Sequence, residues 1–92
     1  MDENKLELLE IAGVEPDGKQ VDNYYVIDLF DYDTFNSVYN KLEKNIECIR
    51  DSDNTSLNED TAHITYLFKD VLVELVALFN EDDYTMNIYE EN

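Results

Sequence analysis

Thr61-Ala62-His63-Ile64-Thr65-Tyr66-Leu67-Phe68-Lys69-Asp70-Val71-Leu72-Val73-Glu74-Leu75-Val76-Ala77-Leu78-Phe79 is the stretch on which the fold turns, because its apolar residues satisfy two periodicities. At 3.6 residues per turn, Leu57, Ile64, Leu67, Phe68, Val71, Leu72, Leu75, Leu78 and Phe79 make a wide apolar stripe, and Tyr66, Val73 and Ala77 form a weaker strip opposite it. This spacing predicts a long helix opening at a capping box, Ser56 followed by Glu59. A helix apolar on two sides is sandwiched or paired, which nominates Tyr66, Val73 and Ala77 as a homodimer face, with an exposed strand edge as the other route to a dimer. At a period of two, Ala62 to Phe68 reads instead as a strand, and the sequence leaves that alternative open.

Outward from this stretch the pattern is less divided. Asp82-Asp83 closes the predicted helix, and Tyr84, Met86 and Ile88 alternate with Thr85, Asn87 and Tyr89 as a short closing strand. Upstream, Asp51 to Asn58 is a polar connection. Before it, Phe35, Val38, Tyr39, Leu42, Ile46 and Ile49 share one helical face, predicting a helix capped by Asp31 or Asp33 and running to about Arg50. Val21 to Phe30 is rich in β-branched and aromatic residues in alternation, a strand. Pro16-Asp17-Gly18 is a turn, and Glu3 to Ala12 is a short helix with Gly13 at its left-handed cap. The whole predicts one α+β domain over residues 1–92, three helices packed with a short antiparallel sheet.

Charge excludes several classes. The 92 residues hold 23 Asp and Glu against 6 Lys and Arg, a formal charge of −17. Six cations cannot neutralise a run of phosphates, so direct nucleic-acid binding is excluded, and an anionic membrane would repel the chain. No apolar run reaches the roughly 18 residues of a membrane span, and the acidic Met1-Asp2-Glu3-Asn4 start is unlike a signal peptide. With a single cysteine, Cys48, the expectation is a soluble cytoplasmic protein. Apolar residues at 43%, including 7 Tyr and 4 Phe, are enough to build a core.

Catalytic and metal chemistry finds little support. Asp51-Ser52-Asp53-Asn54-Thr55 begins like a calcium loop, but Ser56 stands where the turn needs Gly, and Ala62 where a bidentate Glu should close the shell. One His and one Cys, His63 and Cys48, lack the spacing of a transition-metal site. His63 reads as a surface histidine beside Glu59 and Asp60, and Cys48 as an idle thiol on the polar back of its helix. Close carboxylate pairs are expected by chance among so many acids. The sequence predicts no enzyme, no metal and no cofactor.

The charge itself is then the candidate site. A domain of this length is about 30 Å across, and seventeen charges at the ~1.7 Å spacing of duplex phosphates span roughly the same distance. Residues 20–40 and 70–92 contain no Lys or Arg. Acids on every element nominate Asp22, Asp28, Asp31, Asp33, Glu43, Glu47, Asp51, Asp53, Asp70 and Glu74 as phosphate-like contacts. Glu43/Glu47 and Asp70/Glu74 are like-charge pairs at i,i+4 that a helix would bear at a cost.

The run Tyr24-Tyr25-Val26-Ile27-Asp28-Leu29-Phe30-Asp31-Tyr32-Asp33, the Asn/Asp-rich composition, the small size and the pI near 4 resemble the phage-encoded DNA-mimic anti-restriction proteins, the T-even phage type above all. That resemblance implies a homodimer, acting in the host cytoplasm, that inhibits a modification-dependent restriction endonuclease and displaces histone-like nucleoid silencers from DNA. It carries over no individual residue. Two other classes are in view. Thr55-Ser56-Leu57 resembles the attachment site of acyl carrier proteins without its Asp, and size, acidity and Tyr24-Tyr25 resemble immunity proteins that bind nuclease toxins.

Overall fold

Residues 61–78 form two paired strands rather than a helix. A computed structural model of the chain describes residues 3–89. In it, β5 (Thr61–Phe68) and β6 (Val71–Leu78) face one another from Thr61↔Leu78 to Phe68↔Val71 across the Lys69–Asp70 turn; the element numbers count every strand from the N-terminus. Thr61, Ile64, Thr65, Val71, Val73 and Val76 are β-branched and fit the pleated surface. The hairpin lets Ala62, Ile64, Tyr66, Phe68, Val71, Val73, Leu75 and Ala77 share one face, and all eight are buried. Tyr66, Val73 and Ala77, nominated as a dimer face, are fully buried core residues and cannot be a surface of the folded domain. The sequence conceals the turn because Lys69 takes a positive φ of 55°, a conformation usually announced by Gly or Asn.

The remaining elements are α1 (Glu3–Ala12), β1 (Lys19–Val21), β2 (Tyr24–Asp28), α2 (Tyr32–Lys44), β3 (Cys48–Arg50), β4 (Ser56–Leu57) and β7 (Asp83–Tyr89), with single 3₁₀ turns at Ser52–Asn54 and Phe79–Glu81. Every strand pairing is antiparallel. The order is β1-β2-β7-β6-β5-β3, and β4 shares the outer edge of β5 with β3. The domain is α+β as expected, but among the described residues it has two helices and a seven-stranded sheet, not three helices and a short one. The predicted Ser56 helix cap is a two-residue strand, so the helix-start likeness to acyl carrier proteins is lost.

Both helices lie on one face of the sheet. Leu8, Leu9 and Ala12 of α1 and Phe35, Val38 and Leu42 of α2 join the covered face, including Ile27, Met86 and Ile88, in a single core. Gly13 has φ 71° at the end of α1, the left-handed cap its position predicts. Gly18 is required for space, since a Cβ there would lie 2.4 Å from the Val26 carbonyl oxygen. The Tyr25 hydroxyl ties this turn down, accepting from the Gly18 N–H at 2.9 Å and donating to the Pro16 carbonyl at 3.0 Å.

The α2 helix is shorter than its spacing predicts. Asp31 caps it, accepting from the Thr34 N–H at 2.8 Å, and Asn45 ends it, where a backbone bond to Leu42 closes the last turn. Ile46 is therefore 95% exposed in a loop, and Ile49 lies exposed on β3. Cys48 is buried on β3 instead of resting on a helix back, and burial followed by the Glu47 charge pushes its thiol up. The predicted strand at Val21 to Phe30 is a strand over Tyr24–Asp28 (β2); Val21 ends β1 across the two-residue Asp22–Asn23 turn, and Leu29 and Phe30 lie beyond the strand. The closing strand at Tyr84 to Tyr89 is β7.

Candidate functional site

The antiparallel order determines where the loop acids gather. β2 ends, β5 begins, β6 ends and β7 begins at the same end of the sheet, since Asp28 pairs with Thr85, Leu78 with Asp83 and Thr61 with Leu78. Three connections meet there; they carry Asp31, Glu59, Asp60, Glu81 and Asp82, and the strand and helix ends that flank them add Asp28, Asp33 and Asp83. All eight side chains belong to exposed residues. The segments 28–33, 58–61 and 79–85 contain no Lys or Arg; Lys19 on β1 lies one strand farther out. From β5 to β2 is three strand spacings, about 14 Å, so these acids average about one per 1.8 Å, against ~1.7 Å for the duplex.

Local contacts tie this end together. The Phe79 N–H donates to the Asp60 carbonyl at 2.9 Å, and the Asn80 amide to the Asp60 carboxylate at 3.0 Å, joining the β4–β5 and β6–β7 connections. The Leu29 N–H donates to the Tyr84 carbonyl at 2.9 Å, extending the β2–β7 pairing toward α2. Beneath the acids lies an aromatic cluster: Phe35 meets Tyr84 at 5.6 Å and Phe79 at 6.4 Å, while Tyr32 meets Tyr84 at 6.2 Å. Burial, then the Asp82 charge and hydrogen bond, push the Tyr84 hydroxyl up, with Tyr32 and Asp31 adding to the effect. In contrast, the Thr34 N–H holds the Asp31 carboxyl down.

Of the ten nominated acids, only Asp28, Asp31 and Asp33 belong to this end. Asp22 and Asp70 occupy turns at the opposite end, and Glu47 the loop from α2 to β3. Asp51 and Asp53 belong to the 3₁₀ turn between β3 and β4, where Asp51 accepts from the Asp53 N–H and the Asn54 amide. Asp70 accepts from Asn4 at 2.8 Å. Glu43 and Glu74 are already engaged by neighbouring side chains of the chain itself. Glu43 accepts from the fully buried Tyr66 hydroxyl at 2.5 Å and pairs with Arg50 at 2.6 Å, while Arg50 also donates to the Tyr39 hydroxyl. Burial, then Glu43, hold Tyr66 far above the ordinary tyrosine range.

Glu74 stands on the uncovered face of the sheet. His63 is 2.7 Å from one of its oxygens, and Asn87 and Tyr89 donate to the other at 3.2 and 3.3 Å. His63 thus pairs with Glu74, not with the neighbouring Glu59 and Asp60. His63, Glu74 and Tyr89 line a shallow concavity of about 480 Å³ with Asp51, Ser56 and Leu72. Among the described residues no group of three or more His, Cys, Asp or Glu side chains is placed to hold a metal ion, and no helix is long and apolar enough to cross a membrane. Glu59, Asp60, Glu81, Asp82 and Asp83 complete the acidic end but were not nominated. The cation-free stretch at 70–92 is the trace of Glu81, Asp82 and Asp83 in the sequence; Glu59 and Asp60 lie outside it. Comparison with protein-family models, with curated proteins and with solved structures finds no match to this chain.

Proposed function

We propose that the protein is a DNA mimic that occupies the DNA-binding site of a basic protein, the carboxylates at the acidic end of the sheet taking the place of phosphates. One observation carries this reading: eight exposed carboxylates on and beside three adjoining connections, with no Lys or Arg in the segments 28–33, 58–61 and 79–85, at an average charge per length of sheet end close to that of the duplex. A cationic surface that gains by counterion release on DNA gains in the same way on such a surface. The charges come on turns held by backbone and side-chain bonds, so little ordering is needed on binding. Through the family resemblance, the partners proposed are host defence proteins: a modification-dependent restriction endonuclease and a histone-like nucleoid protein.

The test is competition for a labelled duplex held by each of these two proteins, followed by anisotropy across a salt series. Displacement is expected at about 50 mM salt and should weaken steeply toward about 200 mM. A variant carrying Glu59→Gln, Asp60→Asn, Glu81→Gln, Asp82→Asn and Asp83→Asn should keep its circular-dichroism spectrum and lose most of its potency. Failure of the native protein to displace DNA from either partner at low salt refutes the reading.

A further inference from the structure

At the edge of the acidic end, the chain presents an aromatic ring to water from a backbone conformation that disfavours one. Phe30 has φ 69° and is 76% exposed. It sits at the tip of a three-residue turn closed by the Asp31 N–H donating to the Leu29 carbonyl at 2.8 Å, and its own N–H donates to the Asp28 carboxylate at 2.8 Å. A turn of this hand is rare and strained for a bulky residue, while Gly adopts it freely. The neighbours leave no choice of direction, because Leu29 is locked in the core and Asp31 caps α2. The ring adds nothing to the core.

Beside the ring lies a small depression of about 220 Å³. Val14, Ile27 and Leu29 line it with apolar surface, Phe30 is one side, and Asp17 and Asp28 bring carboxylates. An aliphatic stem ending in a delocalised cation matches that combination: the stem covers the apolar lining, the planar cation lies against the ring, and a carboxylate accepts its N–H donors. The Asp28 bond to the Phe30 N–H uses Oδ1, so Oδ2 faces no such demand. Arginine meets all three requirements. Lysine meets the first and last but brings a compact, strongly hydrated charge to the ring.

We propose that this depression is a receptor for one arginine side chain of the basic partner, with Phe30 as its stacking surface and Asp28 as its carboxylate. The site rests on the DNA-mimic reading for its partner, and the experiment separates the two. The probe is N-acetyl-arginine amide, with N-acetyl-lysine amide as control, titrated into the labelled protein and followed by amide chemical shifts. Arginine should shift residues 13–17 and 27–34 in a saturable way and more strongly than lysine. Phe30→Gly should weaken arginine binding about two- to fivefold, the scale of an exposed cation–π contact, while raising the melting temperature by releasing the strained φ. Phe30→Leu should weaken binding without that rise, and Asp28→Asn should weaken it as well.

Arginine shifts spread evenly over all the acidic residues, or binding unchanged in both Phe30 variants, overturn the site. If native protein displaces DNA and Phe30→Gly displaces it equally well, the site fails and the mimic reading stands. If arginine binds here as described but native protein displaces no DNA, the receptor stands and its partner is a different arginine-bearing protein.

Discussion

The two faces of the β5–β6 hairpin are made by the same eighteen-residue stretch, 61–78, under opposite demands. On the face beneath the helices every position is apolar and buried. On the other face His63, Thr65 and Glu74 stand among Leu67, Leu72 and Val76. In this second set an uncharged row crosses six strands in register, Val21, Tyr24, Tyr89, Leu72, Leu67 and Ile49. Packing against helices thus enforces strict alternation, while contact with water merely permits polarity. Stability should reside almost wholly in the first face, and the largest test of that contrast is a matched truncation. Leu75→Ala, at a fully buried position, should cost about 2–5 kcal/mol in urea unfolding. Leu67→Ala, at a position 40% exposed, should cost under about 1 kcal/mol. Equal losses would mean that the uncovered face is also packed in solution.

A second test concerns a place where the covered face carries a polar group to the rim. Glu43→Ala removes the acceptor of the Tyr66 hydroxyl and the partner of Arg50, and should cost about 1–3 kcal/mol because a buried donor is left unmade. Adding Tyr66→Phe should recover part of that loss, so the two changes are expected to be non-additive in a double-mutant cycle. Strict additivity would show that the hydroxyl finds another partner.

The smallest effect lies at the cap of the covering helix. The folded Asp31 carboxyl is held below its ordinary value of 3.8 by the Thr34 N–H. Its contribution is complete above that value and is lost as pH falls through the lower folded value. Asp31→Asn keeps a capping oxygen without a charge, so its melting temperature should change less with acidification below about pH 4 than that of the native protein. Parallel curves would remove Asp31 from the acid limb.

What the sequence made legible follows from these contrasts. α1, its Gly13 cap, the start of α2 and β7 were read correctly, each having one period and a recognisable boundary. β5 was legible only as the alternative strand over Ala62 to Phe68, and β6 not at all, because apolar residues on both faces satisfy a helical wheel and an alternation alike, and Lys69-Asp70 carries no turn signal. The end of α2 was missed for a related reason: Ile46 and Ile49 continue its apolar spacing, yet Asn45 ends the helix and neither isoleucine reaches the core. The acidic end was half visible. Asp28, Asp31 and Asp33 adjoin in sequence, whereas Asp60 meets residues 79–83 only when β6 returns along β5, a relation that a helix over the same residues abolishes.

The edges of the sheet have a consequence for the same molecule at low pH. One border is β1, three residues long; the other is a ladder of three and two residues, β3 and β4, interrupted by the turn that Asp51 caps. Near the pI of about 4.1 the carboxylates no longer keep copies apart. A strand seeking to extend the sheet still finds no continuous row of backbone donors and acceptors to copy. Resistance to templated, fibril-like growth is therefore written into strand length, a safeguard that no change of pH can titrate away.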